Sequence, residues 1–499
     1  MSESRLIIAA NRLPVTFVEE NGRLQAKPSG GGLVTALRAV LRNRGGLWVG
    51  WSGSNASLEG REEDLAQANR EAGFELHPIE LSEREVNRFY LGFSNQIAWP
   101  LFHSLIDRCK FSPEYWDTYM RVNERFARRL REHYREGDYI WVHDYHLMEV
   151  GRELRRLGLK APIGFFLHIP FPPVEVFLRL PWREKVMQAL LDFDLLGFQT
   201  MRDRRHFLNC VRQLVPGVEV QAKGALARAR LGERELHVGA FPISIDFREF
   251  ADAAASDHVT QLCEQLREQM GPRKVMVGLD RLDYTKGIPH RFRAFENALE
   301  RYPDLQGHIS LVQIVAPSRE TIPEYESLHA EIERLVGRIN GRFSRVGWIP
   351  IHYLYRTLTR EEILAYCRSA DIGLVTPLCD GMNLVAKEYC ACNLDESGVL
   401  ILSEFAGAAS ELQRDALLVN PFDIEGTADA IYQAAIMPPE RRHPRMQRLR
   451  QKIRRNDIQR WVDSFLRIGM GRALGDFPVL ESIDDYVPRI HYSGGAENA

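Results

Sequence analysis

Residues 275–287 read VMVGLDRLDYTKG, an apolar run followed directly by acidic residues, basic residues and a glycine. The run 275–279 is typical of a buried strand in a parallel sheet, and the residues after it then lie at the carboxyl edge, where such sheets bind ligands. Arg281 offers a planar fork and Lys286 a mobile point charge, a combination that suits a diphosphate. Solvated ion pairs between these bases and the two neighbouring acids are the plain alternative. This stretch alone does not choose between the two interpretations.

Short apolar runs alternate with longer amphipathic stretches along the chain, which is the sequence pattern of βα units around a parallel sheet. The pattern occurs twice. The first set of runs covers 6–10, 139–142, 163–168 and 195–198, with helical sequence such as 120–134 between them. The second set covers 275–279, 309–315, 372–376, 399–402 and 417–419.

A length of 499 residues exceeds what one hydrophobic core usually organises. We therefore predict an α/β protein with two facing doubly wound domains, residues 1–243 and 244–460, joined where Gly239 and Pro242 favour a crossover. Residues 461–499 are predicted to form a helix that packs back on the first domain, followed by a frayed tail. Ligands are expected in the loops after the strands, because the carboxyl edges of both sheets then share a cleft.

Composition argues against several classes of function. Lys and Arg number 65 against 67 Asp and Glu, so no overall basic field recruits nucleic acid or an anionic membrane. The first apolar run is too short for a signal-peptide core or a transmembrane helix, and we expect a cytoplasmic protein. The seven cysteines are scattered without a CxxC pair, which favours reduced thiols over a metal centre.

A second loop of the same kind follows the run 372–376 and reads PLCDGMNLVAKE at 377–388. It leads into a helix whose first amides, at 383–385, form an anion site together with the helix dipole. Glu388, one turn on, is placed to reach the hydroxyl pair of a ribose, and Asp380 to accept hydrogen bonds from sugar hydroxyls. The plain alternative makes Asp380 an ordinary helix N-cap and Glu388 a surface residue.

The first half of the chain offers weaker signals. Arg12 follows the opening strand, and the glycine-rich run 29–33 permits close approach of a ligand, although it is neither a dinucleotide fingerprint nor a Walker loop. Tyr90 and Trp99 lie in the aromatic-rich segment 88–100, whose polar tips suit a sugar phosphate. A flexible loop and an aromatic core are the plain alternatives for these two segments.

Polar side chains also follow two apolar runs of the first half. His143, Asp144 and His146 come after the run 139–142, and His168 follows the next run along the chain. The spacing of the first three does not suit a metal ion without a further ligand, so recognition of an acceptor molecule is preferred. The plain alternative for His168 is a core histidine with satisfied hydrogen bonds.

Taken together and in this order, these segments resemble the trehalose-6-phosphate synthase family across roughly residues 5–470. The resemblance implies the GT-B architecture and transfer of glucose from UDP-glucose to glucose-6-phosphate, with retention at the anomeric carbon. It implies no resident cofactor and no catalytic metal. The partners it implies are small-molecule substrates, with no nucleic acid and no membrane, and it leaves a homo-oligomer open.

The resemblance also assigns roles to individual residues. The acceptor would be held by Arg12, Tyr90, Trp99, Asp144 and Arg319. The donor would be held by Gly31, Gly32, Arg281, Lys286, Asn383, Leu384, Val385 and Glu388. The catalytic roles would fall to Arg281, Lys286, Asp380 and His168. The last two of these would contact the transferred glucose, and the leaving phosphate would take the proton of the acceptor.

Two positions depart from the family pattern. Cys379 stands where many relatives carry Arg, and Ser244 replaces a common glycine, which bears on donor affinity more than on reaction class.

Two other functions stay open. One is a glucosylglycerol-phosphate synthase that uses ADP-glucose and glycerol-3-phosphate. The other is an inactive regulatory subunit that binds sugar phosphate, which predicts loss of Arg281, Lys286 or Glu388, and all three are present.

Overall fold

The computed structural model describes residues 5–20, 23–28, 34, 37–38, 41, 46–53, 60–319 and 322–470. These residues form two large β-sheets, of nine and six strands, and a separate two-stranded hairpin. Helices pack against both sheets. In these ranges no helix is both long enough and apolar enough to cross a membrane.

The first sheet is built from the first half of the chain. Its strands and those of the hairpin are, in chain order, β1 Leu6–Arg12, β2 Val15–Glu20, β3 Arg23–Pro28, β4 Gly46–Trp51, β5 Glu75–Ile79, β6 Tyr139–His143, β7 Ile163–Phe166, β8 Leu195–Phe198, β9 Glu219–Lys223, β10 Leu226–Leu231 and β11 Arg234–Ala240. The hairpin consists of β2 and β3, and the sheet order is β5-β4-β1-β6-β7-β8-β11-β10-β9. The order reverses between β1 and β6, which makes a topological switch point there.

The second sheet is entirely parallel. Its strands are β12 Lys274–Arg281, β13 Ile309–Ala316, β14 Ile351–Tyr355, β15 Ile372–Val375, β16 Val399–Ser403 and β17 Leu417–Val419. They are ordered β14-β13-β12-β15-β16-β17, so this sheet has its switch point between β12 and β15. All residues of β15 and β16 are buried, as expected for strands covered by helices on both faces.

The helices alternate with the strands in both halves. Those of the first half are Glu62–Ala72, Glu83–Glu85, Trp99–Phe102, Pro113–His133, Val150–Arg156, Val174–Phe177, Arg183–Leu190 and Met201–Leu214, with a π-helix at Val86–Ala98 and 3-10 turns at Ile106–Arg108 and Tyr145–Leu147. Those that follow are Phe247–Ala254, Asp257–Met270, Ile288–Arg301, Pro323–Phe343, Arg360–Ser369, Leu384–Cys392, Ala409–Leu412, Ile424–Ile436, Pro439–Arg455 and Ile458–Gly469, with 3-10 turns at Tyr284–Lys286 and Pro303–Leu305.

The predicted α/β fold is confirmed, and every predicted apolar run overlaps a strand of the expected sheet, although the runs 163–168 and 372–376 extend past the ends of β7 and β15. The sequence reasoning named neither the hairpin strands β2 and β3 nor the strands β4, β5, β9, β10, β11 and β14. The reason is visible in β5 and β14, which read ELHPI and IHYLY and interrupt their apolar residues with charged or polar ones. Strand β12 also extends past its apolar run, because Asp280 and Arg281 still pair with Val315 and Ala316 of β13.

The last described helix, Ile458–Gly469, returns to the first sheet. The rings of Trp461 and Phe465 pack on Trp141 of β6, with centroids 5.1 and 4.5 Å apart. Gly197 of β8 leaves room for this helix, because a Cβ there would lie 2.7 Å from the Phe465 ring. The last described helix therefore packs on the sheet of the first half.

The two halves also touch along the rim of the cleft. Lys110 of the first half forms an ion pair with Glu324 of the second, with Nζ 2.6 Å from Oε1. Nearby, the guanidinium of Arg108 lies 4.6 Å from the centroid of the Tyr284 ring. We call these two contacts the rim contacts.

Candidate active site

The loop after β15, at the switch point of the second sheet, meets the loop after β7 across the cleft. A Cβ at Gly381, after β15, would lie 2.2 Å from the main-chain oxygen of His168, after β7. No side chain fits at that distance, so glycine is required by the contact. The side chains around this contact come from both halves.

A continuous row of aromatic rings connects Arg12 of the first half to Arg319 of the second, and we call it the aromatic arc. In order, its rings are Trp51, Tyr90, His146, Tyr145 and Trp99, with successive centroids 5.9, 5.9, 4.0 and 5.8 Å apart. The guanidinium of Arg12 lies 4.5 Å from the Trp51 centroid, and that of Arg319 lies 4.6 Å from Trp99. A ring face holds a cation without neutralising its charge. The Arg12 end of the arc therefore attracts an anion, whereas Arg319 at the other end shares its charge with Asp283.

Arg319 is held firmly in this position. Its backbone has a φ of 52°, a left-handed conformation that non-glycine residues seldom adopt away from functional sites. Its Nη1 donates to Tyr325 Oη at 2.7 Å and to Asp283 Oδ2 at 3.3 Å. Burial would raise the pKa of Asp283, but Arg319 and then Lys286 hold it below its usual value, so Asp283 is ionised.

The pKa of the Tyr90 phenol reflects the net charge of this pocket. Burial raises its pKa, but Arg319, Arg12 and Arg281 oppose burial, and the pKa is lowered overall. A net lowering in a buried place indicates an excess of positive charge around the phenol. The acceptor residues predicted from the sequence, Trp99 included, thus surround one cationic pocket.

Asp144 lies at the switch point of the first sheet. It has a left-handed φ of 73°, and its Oδ1 accepts a hydrogen bond of 3.2 Å from the main-chain nitrogen of His168. Burial raises the pKa of Asp144 to about 7, although main-chain hydrogen bonds and the guanidiniums of Arg281 and Arg319 oppose it. Near neutral pH such a carboxyl can accept a hydrogen bond from a sugar hydroxyl or donate one.

Both ring nitrogens of His168 already have protein partners. Nε2 lies 3.1 Å from Nδ1 of His143, and Nδ1 lies 3.4 Å from Nε2 of Gln199. The Oε1 of Gln199 accepts from the main-chain nitrogen of Ile243, which orients the amide so that its N–H donates to His168. Burial lowers the pKa of His168 to about 3, so the ring is neutral. Its contact with a transferred glucose stays a prediction, and the group it presents to the second half is its carbonyl.

On the second sheet, Lys286 and Asp380 form a direct ion pair. Nζ lies 2.5 Å from Oδ2, which also accepts a hydrogen bond of 3.1 Å from Asn383 Nδ2. Burial would raise the pKa of Asp380, but Lys286 holds it below its usual value. The N-cap interpretation of Asp380 is wrong, because the helix begins after Asn383, which has a φ of 70°.

The helix Leu384–Cys392 begins at the cleft without a side-chain cap, since Asn383 makes no capping hydrogen bond. The amides of its first turn, including those of Leu384 and Val385, can therefore bind an anion. Glu388 follows one turn later and is partly buried, so it is not a plain surface residue. Burial raises its pKa from 4.5 to about 7, with Arg360 opposing.

Arg281 differs from the other cations of the site because it is exposed and pairs with no carboxylate among the described residues. The ion pairs considered as the alternative for this loop are wrong. Asp280 pairs with the buried Arg291 beneath the loop, and Asp283 pairs with Arg319. The guanidinium of Arg281 is thus available to a ligand.

The remaining predicted positions are less informative. Gly31 and Gly32 lie outside the described residues. Cys379 is partly buried, and burial raises its pKa to about 12, with Arg202 opposing. Ser244 is buried, and its hydroxyl has no hydrogen-bond partner in the described part of the chain. Nothing in the structure explains the serine at this position.

Sequence reasoning missed Trp51, Gln199 and His103, and for Asp283 it offered only a solvated ion pair as one of two interpretations. Trp51 and Gln199 belong to no motif, and only the tertiary structure brings them to the site. His103 carried a usable signal, because it follows Trp99 by four residues and so shares its helix face.

Metal ligands are not grouped here. The ranges that the structure describes contain no cluster of three or more His, Cys, Asp or Glu side chains suited to a metal ion. All seven cysteines are free thiols.

Comparison with known proteins agrees with this geometry. Residues 4–468 match the family model described as Glycosyltransferase family 20. A trehalose-6-phosphate synthase of Mycolicibacterium smegmatis is 45% identical over 470 residues, which covers 93% of this chain and 92% of that protein.

Two solved structures of trehalose-phosphate synthases are similar to this chain along nearly its whole length. An alpha,alpha-trehalose-phosphate synthase (UDP-forming) from Burkholderia xenovorans in complex with glucose-6-phosphate has a TM-score of 0.84 at 37% identity, covering 94% of this chain and 100% of that one. A structure from E. coli bound with UDP-2-fluoro glucose has a TM-score of 0.85 at 37% identity, with the same coverage of 94% and 100%.

Proposed function

Because the chain belongs to glycosyltransferase family 20 and has the GT-B fold, we propose that it is a retaining glucosyltransferase that makes α,α-trehalose 6-phosphate. It transfers glucose from UDP-glucose to glucose-6-phosphate and releases UDP. The observation that carries this proposal is the cationic aromatic arc facing an uncapped helix start across the cleft. Glycerol-3-phosphate as acceptor is not supported, because these relatives and structural neighbours are trehalose-phosphate synthases.

The acceptor phosphate binds in the cationic pocket. Arg12 and Arg319 supply the charge, and Tyr90 and Trp99 supply polar groups between them. Guanidiniums suit a phosphate dianion because they form paired, charge-assisted hydrogen bonds. Asp144 then orients the sugar by hydrogen bonding to a hydroxyl, which sets the position of the hydroxyl that reacts.

The donor binds at the edge of the second sheet. Its diphosphate contacts the first amides of the helix Leu384–Cys392 together with Arg281 and Lys286, and its ribose contacts Glu388. Lys286 exchanges Asp380 for the diphosphate, which frees Asp380 to accept from hydroxyls of the glucose. The backbones of Gly31 and Gly32 are proposed to approach the donor from the first half.

The chemical step forms a bond from the acceptor's anomeric oxygen to C1 of the glucosyl unit on the face from which UDP departs. The bond from C1 to the diphosphate oxygen breaks with its electron pair. The proton of the attacking hydroxyl passes to an oxygen of the leaving phosphate. Arg281, Lys286 and the helix start stabilise the charge that develops there, and removing one such group lowers turnover by about 100- to 1000-fold elsewhere.

In this proposal the cations of the chain neutralise the leaving group, and no metal ion or resident cofactor takes part. We place the reaction in the cytoplasm, where nucleotide sugars and sugar phosphates are made. Activity that persists after dialysis against EDTA supports the first point, and activity that returns only with a divalent cation contradicts it.

The test is an assay of the purified protein with each pair of donor and acceptor. UDP-glucose and ADP-glucose are each combined with glucose-6-phosphate and glycerol-3-phosphate, and the product is identified by proton NMR. Release of UDP with an α,α-linked disaccharide phosphate is the expected result. A Lys286→Ala preparation serves as the control for contaminating activity. Turnover only with glycerol-3-phosphate, or with no pair, contradicts the proposal.

A further inference from the structure

His103 lies beside the last ring of the aromatic arc. It is buried, and its ring centroid lies 4.3 Å from that of Trp99, the last ring of the arc. No part of the proposed function has yet used this side chain. Its ring nevertheless packs on Trp99, one of the residues proposed to hold the acceptor.

Two observations place the imidazole near the second half of the chain. The ring of Trp99, on which the imidazole packs, also carries the guanidinium of Arg319, 4.6 Å from its centroid. Asp283, Asp380 and Lys286 are also the charged groups of the second half that act electrostatically on the imidazole. The ring therefore faces the second half across the cleft.

The hydrogen bonds of His103 determine its tautomer. Nδ1 lies 2.7 Å from the main-chain oxygen of Trp99, which can only accept, so Nδ1 carries the hydrogen. Burial lowers the pKa of His103 to about 4, and the imidazole is neutral at physiological pH. Nε2 is consequently an acceptor with a lone pair. It forms no hydrogen bond to any residue in the described ranges.

We infer that Nε2 of His103 accepts a hydrogen bond from a sugar hydroxyl beside the Lys286–Asp380 pair. The inference rests on the proposed function, which brings two glucosyl units to this part of the cleft. A sugar hydroxyl is the donor that both substrates share, and Nε2 has no hydrogen-bond partner among the described residues that would compete with it. The hydroxyl belongs to the transferred glucose or to the acceptor sugar, and the experiment separates these sources.

Two substitutions distinguish this role from a structural one. His103→Asn keeps an amide N–H near the position of Nδ1, so it can still donate to the Trp99 carbonyl, but it has no atom near Nε2. His103→Gln carries its amide near Nε2 and can present an oxygen there. If Nε2 binds a hydroxyl, we expect His103→Asn to weaken the binding of one of the two sugar substrates by about 5- to 10-fold, and His103→Gln to recover part of that loss.

The readouts are the Kd values of UDP-glucose and of UDP, the KM for glucose-6-phosphate and Tm. Weaker UDP-glucose binding with unchanged UDP binding assigns the hydroxyl to the transferred glucose. A raised KM for glucose-6-phosphate with unchanged UDP-glucose binding assigns it to the acceptor. Wild-type values in His103→Asn, or an equal loss for all three ligands with a lower Tm, overturn the inference. A wild-type protein that binds UDP-glucose but forms no product overturns the proposed function instead.

Discussion

The aromatic arc and the Lys286–Asp380 pair hold their cations in different ways. In the arc, Arg12 lies on the face of Trp51, and Arg319 lies on the face of Trp99 while its Nη1 also reaches Asp283 Oδ2 at 3.3 Å. On the second sheet, Lys286 is bonded directly to a carboxylate. Ring faces leave a cation's field largely intact, whereas a carboxylate at hydrogen-bond distance cancels most of it.

This difference determines the charge that each site presents before its substrate binds. The arc has an excess of positive charge before any ligand arrives, as the lowered pKa of Tyr90 shows. At the donor edge Arg281 has no carboxylate partner among the described residues, whereas Lys286 is paired and, in the proposed function, becomes available when a diphosphate displaces Asp380. Four substitutions break or sharpen this comparison, and the first has the largest expected effect.

Arg319→Ala should reduce both activity and stability. We expect kcat/KM for glucose-6-phosphate to fall by about 100-fold or more, because a charge-assisted contact to the phosphate is lost. The free energy of unfolding should fall by about 3 to 5 kcal/mol, because buried Asp283 loses its ion-pair partner. Steady-state kinetics and denaturant unfolding measure the two effects. The control is the double variant Asp283→Asn with Arg319→Ala. Its free energy of unfolding should recover in part, while its KM for glucose-6-phosphate stays raised. If Arg319→Ala alone leaves the free energy of unfolding unchanged, the buried ion pair does not stabilise the fold.

Arg281→Ala should separate activity from stability. Its guanidinium is exposed and has no carboxylate partner among the described residues, so the free energy of unfolding should change by less than about 0.5 kcal/mol. Turnover should fall by about 100-fold, because the leaving diphosphate loses one of its cations. Kinetics beside a thermal melt test this. A folded variant with wild-type turnover means that Arg281 does not contact the diphosphate.

Glu388→Gln should remove a pH dependence. Burial raises the pKa of Glu388 to about 7, so affinity for UDP-glucose should rise between pH 6 and 8 as the carboxylate forms, and the glutamine variant should lack this rise. Between pH 4.5 and about 7, the Glu388 carboxyl is more protonated in the folded state than in the unfolded state. Stability therefore falls as pH rises through that window, and the variant should lose this fall. Calorimetric titrations and melts at several pH values provide both measurements.

The smallest effect is expected at the rim contacts. Lys110→Glu should raise KM for glucose-6-phosphate by only about 2-fold, because a partly exposed ion pair contributes roughly 0 to 1 kcal/mol. The double variant Lys110→Glu with Glu324→Lys restores the pair with reversed charges and should return KM to the wild-type value. If the double variant is worse than either single one, the contact does not help to hold the halves together.

Much of the fold could be predicted because buried parallel strands are continuous apolar runs, as in β15 and β16. The site positions after β12 and β15 could be predicted for the same reason, since ligands bind at the carboxyl edge. The partners of those residues could not. Asp283 and Lys286 are neighbours in sequence, yet one pairs with Arg319 and the other with Asp380, because long-range packing decides which charges meet.

The contact between Gly381 and the carbonyl of His168 has a mechanical consequence. One peptide backbone rests on another there, so any residue larger than glycine at position 381 would push the two loops apart. A misplacement of about 1 Å between reacting atoms can slow a reaction by about 100-fold. A substitution of this single glycine is therefore expected to disturb the distance between the two proposed sugar sites.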